Sequence, residues 1–227
     1  LHLTAGEYII DDTIYIPPYT TIVGDGSDKT VIRSLTTNKP LFRTVNSTST
    51  VGTPASDATS TTLNQATNIN IQGITLETTV INKALILDSC KNSKFIDVKL
   101  KFYDCKVEGF EYALYSNWDI HNNHIKDCAF TNNAYGIAFG AGLVSLDLTA
   151  NSGKQTGPLK NTIMHCEFLN INKHAVWAKY GTKNYLSNNN YELCGNDGSA
   201  ENLPAVSVVK FVQSGNSSDH ETFSRTA

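Results

Sequence analysis

The chain has 227 residues, 17% of them charged, and a net charge of −3. With no excess of Lys and Arg it offers no basic face for nucleic acid, and no run in it approaches the roughly 18 apolar residues of a membrane span. The length suits one elongated domain, 1–227, and the charged fraction lies below the ~25% usual in globular proteins.

Apolar and polar residues alternate from Leu1 to Ile32. Leu3, Tyr8, Ile10, Ile14, Ile16, Ile22, Val31 and Ile32 mark short strands, with turns at Pro17-Pro18 and Gly24-Asp25-Gly26. The Gly-Asp-Gly run also mimics part of a phosphate loop, but no helical pattern and no Lys-Ser/Thr pair follows it. Residues 46–68 are rich in Ser, Thr, Ala and Gly and predict a long loop insertion. Strands resume at Ile69-Asn70-Ile71-Gln72-Gly73-Ile74-Thr75-Leu76. They continue through Ala84-Leu85-Ile86-Leu87 and Phe95-Ile96-Asp97-Val98.

From there a short pattern repeats. Asn123-His124-Ile125-Lys126-Asp127-Cys128-Ala129-Phe130 is echoed by Asn161-Thr162-Ile163-Met164-His165-Cys166-Glu167-Phe168. A half-copy, Leu100 to Val107, precedes them around Cys105. A third copy is read at Asn189-Asn190-Tyr191-Glu192-Leu193-Cys194. Each of the first three Cys is followed by a small residue and an apolar patch: Ala113-Leu114-Tyr115, Gly136-Ile137-Ala138-Phe139 and Ala175-Val176-Trp177. The Cys-to-Cys intervals are 23, 38 and 28 residues, and the 38 contains a Gly/Ser/Thr/Asn-rich excursion at 140–157, a second insertion. A turn of that size holds about three strands of four to six residues with turns between them. Recurring short strands that each bury one apolar row describe an all-β solenoid, the single-stranded parallel β-helix, here with seven to nine coils. A leucine-rich repeat has a similar period but would need dominant Leu and a helical half.

The pattern predicts its own interior. Turns stack about 4.8 Å apart, so like residues lie on like residues. Cys105, Cys128, Cys166 and Cys194 should form one buried column, and Val107, Phe130 and Phe168 another. Cys128 and Phe130 share a face by alternation, so Ile125 can join them inside only across a bend. The clusters Asn122-Asn123, Asn132-Asn133 and Asn188-Asn189-Asn190 belong at corners, where Asn tolerates left-handed angles and forms ladders. The five cysteines include no CxxC pair, and an inward stack suits free thiols in a reducing cytosol. No metal or cofactor is expected.

The opening pattern, Leu-x-x-Gly-x-Tyr-x-Ile, Ile-x-Ile-Pro, Ile-x-Gly-x-Gly and Thr-Val-Ile, resembles the first coils of the pectate-lyase-like right-handed parallel β-helix superfamily. The Asn-x-Ile-x-x-Cys-x-Phe coils resemble phage virion proteins of the tail-fibre or tailspike kind, as do Gly195-Asn196-Asp197-Gly198, Val206-Ser207-Val208-Val209 and Gly215-Asn216-Ser217-Ser218. The resemblance implies a place in the virion, assembled in the host cytoplasm. It also implies other virion subunits as partners, a homotrimer, and contact with host surface polysaccharide. The polygalacturonase motifs Asn-Thr-Asp, Asp-Asp in a strand, Gly-His-Gly and Arg-Ile-Lys do not occur in order, so the expectation is a non-catalytic structural component. The alternative is a polysaccharide lyase or glycoside hydrolase, with a bacterial surface adhesin third. The chain opens without Met, shows no signal peptide, and stops just after Glu221-Thr222-Phe223, which reads as the start of another coil; a piece of a longer protein is expected.

Catalysis on an outer face would need convergent carboxylates, about 5 Å apart for retention and roughly 6.5 to 9.5 Å for inversion. Asp104 and Asp127 each precede a Cys and should neighbour each other, with His165 extending the column. Lys106 and Lys126 are the nearest cations, since Arg33, Arg43 and Arg225 lie outside the central coils. His121 and His124, three apart on a strand, would face opposite ways and form no metal pair. Tyr115 and Trp177 occupy equivalent positions, flanked by Tyr112, Tyr135 and Phe139. As outward rings they could stack on sugars or pack in assembly.

Overall fold

The computed structural model describes residues 1–17, 19–35, 40–44, 68–82, 85–86, 100–103, 106–115, 122–139, 160–178, 183–195, 203–209, 211–218 and 223–226. Three parallel sheets of eight strands each form the faces of a prism, one strand from every turn entering each sheet. The first sheet stacks β1 (His2–Leu3), β4 (Thr21–Gly24), β7 (Ile69–Gln72), β10 (Leu100–Tyr103), β13 (His124–Lys126), β16 (Thr162–Met164), β19 (Asn184–Ser187) and β22 (Phe211–Ser214). The second stacks β2 (Gly6–Ile10), β5 (Thr30–Ser34), β8 (Thr75–Asn82), β11 (Lys106–Phe110), β14 (Ala129–Thr131), β17 (Glu167–Leu169), β20 (Asn190–Glu192) and β23 (Ser217–Ser218). The third stacks β3 (Ile14–Ile16), β6 (Phe42–Thr44), β9 (Leu85–Ile86), β12 (Tyr112–Tyr115), β15 (Tyr135–Phe139), β18 (Val176–Ala178), β21 (Val206–Val209) and β24 (Phe223–Thr226). This is the parallel β-helix expected from the repeat. Most of the two sequence-predicted insertions, 46–67 and 140–157, lies outside the described residues, as do Phe95-Ile96-Asp97-Val98, His121 and Asn196-Asp197-Gly198.

Vertical register builds the core. In the first sheet Ile125, Ile163 and Leu186 stack in adjacent turns, each fully buried. In the second, Phe130, Phe168 and Tyr191 form a continuous aromatic stack, with centroids 4.9 and 5.1 Å apart and rings within 9° and 17° of parallel. In the third, Leu114, Ile137, Val176 and Val206 align. Burial of such a side chain contributes about 1.5–3 kcal/mol, and an aromatic pair about 0.5–1.5 more. The small residues predicted to follow each Cys form a column too. A Cβ on Gly136 would stand 2.3 Å from the Ala175 carbonyl oxygen, so this row keeps the backbones close.

Many of the described corners turn on one residue in the left-handed region. Entering the first sheet these are Asn68, Asn122, Lys160 and Lys183, with φ of 52° to 55°. Between the first and second sheets they are Gly73, Asp127, His165, Asn188 and Gly215; between the second and third, Asn132, Asn170 and Leu193. Asp127, at φ 54°, supplies the bend that brings both Ile125 and Cys128 inside. Next to these residues, buried Asn side chains run along the axis. Asn123 Nδ2 donates to Asn161 Oδ1 at 2.6 Å, and Asn161 Nδ2 to Asn184 Oδ1 at 2.8 Å. The same oxygens accept the backbone N–H groups of Asn123 and Asn161, which a corner would otherwise leave unmatched.

The cysteine column needs correction. Cys128 and Cys166 do stack, because Ala129 pairs with Glu167, but the next member is Asn189, 23 residues beyond Cys166. Cys194 sits one corner further on, where its neighbour Gly195 donates to the Ile171 carbonyl. Cys105 and Cys90 lie outside the described residues. The substitution in the column has a physical basis. Cys166 Sγ donates to the Met164 carbonyl at 3.3 Å, and Asn189 Nδ2 donates to the Ile163 carbonyl at 3.0 Å, so either side chain serves the carbonyls of the same corner. Asn189 also accepts the Cys166 backbone N–H at 2.9 Å. Cys128, Cys166 and Cys194 are free, buried thiols.

The first turn is stapled by charge. Asp25 accepts from Ala5 N–H at 2.9 Å and lies 2.8 Å from His2 Nε2. The Gly24-Asp25-Gly26 run is thus a close-packed turn: a Cβ on Gly24 would lie 2.3 Å from the Gly73 oxygen. Arg33 bonds both Glu7 and Glu77, bridging three turns of the second sheet.

Two expected outcomes follow from this packing. Asn161→Ala removes both ladder bonds and leaves buried partners unmatched, and should cost about 2–4 kcal/mol in urea unfolding, whereas Asn172→Ser, at an exposed position outside the ladder, should change little. The Ala5 N–H, then His2, hold the Asp25 carboxyl below its ordinary value of 3.8. A depressed folded-state value means that this staple is complete above pH 3.8 and is lost as pH falls further, through the folded value. NMR shifts of Ala5 and His2 should therefore move in that acid window, and Asp25→Asn should abolish the movement.

Candidate functional site

At the corner between the first and second sheets a groove of about 270 Å³ opens on the outer surface, lined by Ser27, Lys106, Asp127, Cys128, Ala129, His165 and Glu167. Two columns build it. Lys106, Ala129 and Glu167 occupy one outward position of the second sheet in successive turns. Asp127 and His165 occupy the left-handed corner position, which throws their side chains outward beside that column. Ala129 is the short side chain between two long ones, and its missing atoms are the depth of the groove.

The polar groups are largely committed to one another. Lys106 pairs with Asp28. Lys126 Nζ lies 3.3 Å from Asp127 Oδ2, and His165 Nδ1 lies 3.4 Å from Asp127 Oδ1. Asn188 Nδ2 stands 3.4 Å from His165 Nε2, an arrangement met by a neutral ring that donates from Nδ1 and accepts at Nε2. Both partners of the pair are solvated, with Asp127 52% and His165 47% exposed. Glu167 makes no ion pair among the described residues.

The structure thus brings together two members of the sequence-predicted column, Asp127 and His165; Asp104 lies outside the described residues. Of the two lysines, Lys106 lines the groove and Lys126 meets it only through Asp127. Sequence reasoning missed Glu167 and Ala129. The signal was available, since each directly follows a column Cys just as Lys106 follows Cys105.

The aromatic candidates are placed differently. Tyr115, Ala138 and Trp177 do share one register position. The expectation of an outward, exposed Tyr115 is corrected: it is fully buried, because the small Ala138 beside it leaves room for the ring to lie down against Tyr112 and Trp177. Tyr112 meets Tyr115 edge-on at 5.0 Å and stacks on Tyr135 at 4.6 Å with rings 4° from parallel. Lys173 Nζ sits 5.1 Å from the centre of the Tyr135 ring. The Tyr112 and Tyr135 faces are turned to each other, whereas stacking on a sugar requires an open face. Burial, then the neighbouring Tyr135, pushes the Tyr112 phenol above its ordinary value. Among the described residues no group of three His, Cys, Asp or Glu side chains is placed to hold a metal, and no helix is long and apolar enough to cross a membrane.

The architecture has counterparts among solved structures. ORF18 of Geobacillus virus E2 aligns over 95% of this chain and 40% of its own, with a TM-score of 0.64 and 16% identity. The N-terminal fragment of bacteriophage phi29 gene product 12 aligns over 96% of this chain and 48% of its own, at a TM-score of 0.37 and 13% identity. The pre-mature form of the same gene product gives 0.37 and 13%, over 37% of its length. The chain therefore spans less than half of each. No curated protein matches it by sequence. The family model described as rhamnogalacturonase A/epimerase, pectate lyase-like, matches residues 1–200, and the chain belongs to that family.

Proposed function

We propose that this chain is the β-helical part of a bacteriophage virion protein of the tail-fibre or tailspike kind. It acts as a rigid, non-catalytic rod that contacts host surface glycans and assembles with other virion subunits as a homotrimer. The fold-level likeness to the Geobacillus virus protein is compatible with that setting. Free, buried thiols suit folding in the host cytosol before release.

The observation that carries the non-catalytic reading is the state of Asp127. Its two oxygens face Lys126 and His165, and it is half exposed to water. A general acid or base in a glycan-cleaving site needs a carboxyl poised by burial or by a close like charge. Asp127 lacks the burial, and the groups beside its two oxygens are an ammonium and an imidazole, not a like charge. The second reading, a polysaccharide lyase or glycoside hydrolase, is favoured by the convergence of Asp127, His165 and Glu167 on one groove. It keeps Asp104, Asp127 and His165 as its acid–base set.

The two readings part in one experiment. Incubated with capsular and pectic polysaccharides, the protein should release no new reducing ends and no unsaturated sugars while still binding the glycan. Chain cleavage that disappears in Asp127→Asn or Asp104→Asn would overturn the structural reading.

A further inference from the structure

We infer that the groove at the first corner receives an uncharged sugar ring of a host glycan and rejects uronates. The inference rests on the glycan-contacting reading above and gives it a place and a selectivity. It follows from shape and from the distribution of charge around Ala129.

The volume of about 270 Å³ falls just under the ~300–1,000 Å³ of pockets that enclose drug-sized ligands, and suits a short stretch of a glycan rather than a long one. The floor is Ala129, with Lys106 in the turn before it and Glu167 in the turn after. Ligand hydroxyls entering between them meet the Glu167 carboxylate as an acceptor. The Glu167 carboxylate is exposed and makes no ion pair among the described residues. Ser27 and His165 complete the polar lining.

The cations are the deciding feature. Lys106 is neutralised by Asp28, and Lys126 by Asp127. Among the residues that line the groove, Lys106 stands against Asp127 and Glu167, one negative charge in excess, and Lys29 lies outside it beside Asp28. A uronate carboxylate in the groove would find no unshared ammonium among the lining residues and would lie beside the charge of Glu167. Like charges brought together across an interface suppress the wrong partner. A hexose or N-acetylhexosamine ring brings hydroxyl donors instead and meets no repulsion. The backbone beneath is held by in-register pairing on both sides, so the outward side chains can be exchanged without disturbing the core.

The test uses the whole chain on a panel of immobilised neutral, N-acetylamino-sugar and uronate oligosaccharides, read by surface plasmon resonance. Binding of an uncharged glycan at least about tenfold tighter than any uronate is expected. Glu167→Lys should invert that order. Ala129→Tyr, which a strand surface tolerates, should fill the groove and weaken the uncharged ligand by a similar factor. Preference for uronates, or glycan binding indifferent to both substitutions, overturns the inference while leaving the glycan-contacting reading in place. Failure of every glycan on the panel to bind overturns the reading itself, and the inference with it. Circular dichroism of both variants should match the parent.

Discussion

The structure depends on the vertical register between successive turns. Where turns are 23 residues long, as between Asn161 and Asn184 and between Cys166 and Asn189, each side chain lies over its counterpart. The longer interval of 38 between Asn123 and Asn161 restores the same register. Everything else follows from this vertical match. The aromatic file Phe130–Phe168–Tyr191 exists because three unrelated strands deliver a ring to one height and azimuth. A one-residue slip would turn each strand inside out, since successive side chains point to opposite faces.

Corners bear the cost of that register. A prism with strands mostly of three to five residues must turn three times per coil, and every turn exposes backbone groups that no ladder satisfies. Two devices deal with this. A residue at positive φ redirects the chain, and the buried amide next to it accepts the freed N–H while linking to the amide one turn away. Asn is suited to both roles, which is why it recurs in pairs. The non-Asn corner residues Asp127 and His165 are also tolerated at such angles. Because the corner backbone aims these two outward, the position that bends the chain is also the one that furnishes the groove. Site and scaffold are therefore the same local geometry seen from its two sides.

The repeat was legible because burial imposes it: Ile125 with Ile163, Phe130 with Phe168 and Cys128 with Cys166 all follow from aligning two strings of residues. The third copy differs because its corner position is Asn189, not a cysteine. The corner selects a small side chain able to donate to a nearby carbonyl, and Asn189 does this as Cys166 does. Cysteine spacing follows residue identity, whereas the fold imposes a physical demand that more than one residue meets. The aromatics failed differently. Alternation correctly put Tyr115 and Trp177 in one register, but exposure depends on what lies beside a ring, and Ala138 gave Tyr115 somewhere to go. Glu167 was passed over because outward charges on a strand look alike in sequence. What distinguishes it is the alanine one turn away, a relation that exists only once the turns are counted.

That relation also indicates how such a surface acquires function. An inward substitution in a β-helix must suit the residues above and below it at packing density, so the core columns resist change. An outward one has two vertical neighbours and water. Shortening a single side chain, as at Ala129, opens a recess between two long ones without moving a strand. The charges around the recess come from four separate turns, so those of different turns can be exchanged separately. The chemistry of this face is therefore adjustable nearly independently of stability, while the interior must keep repeating.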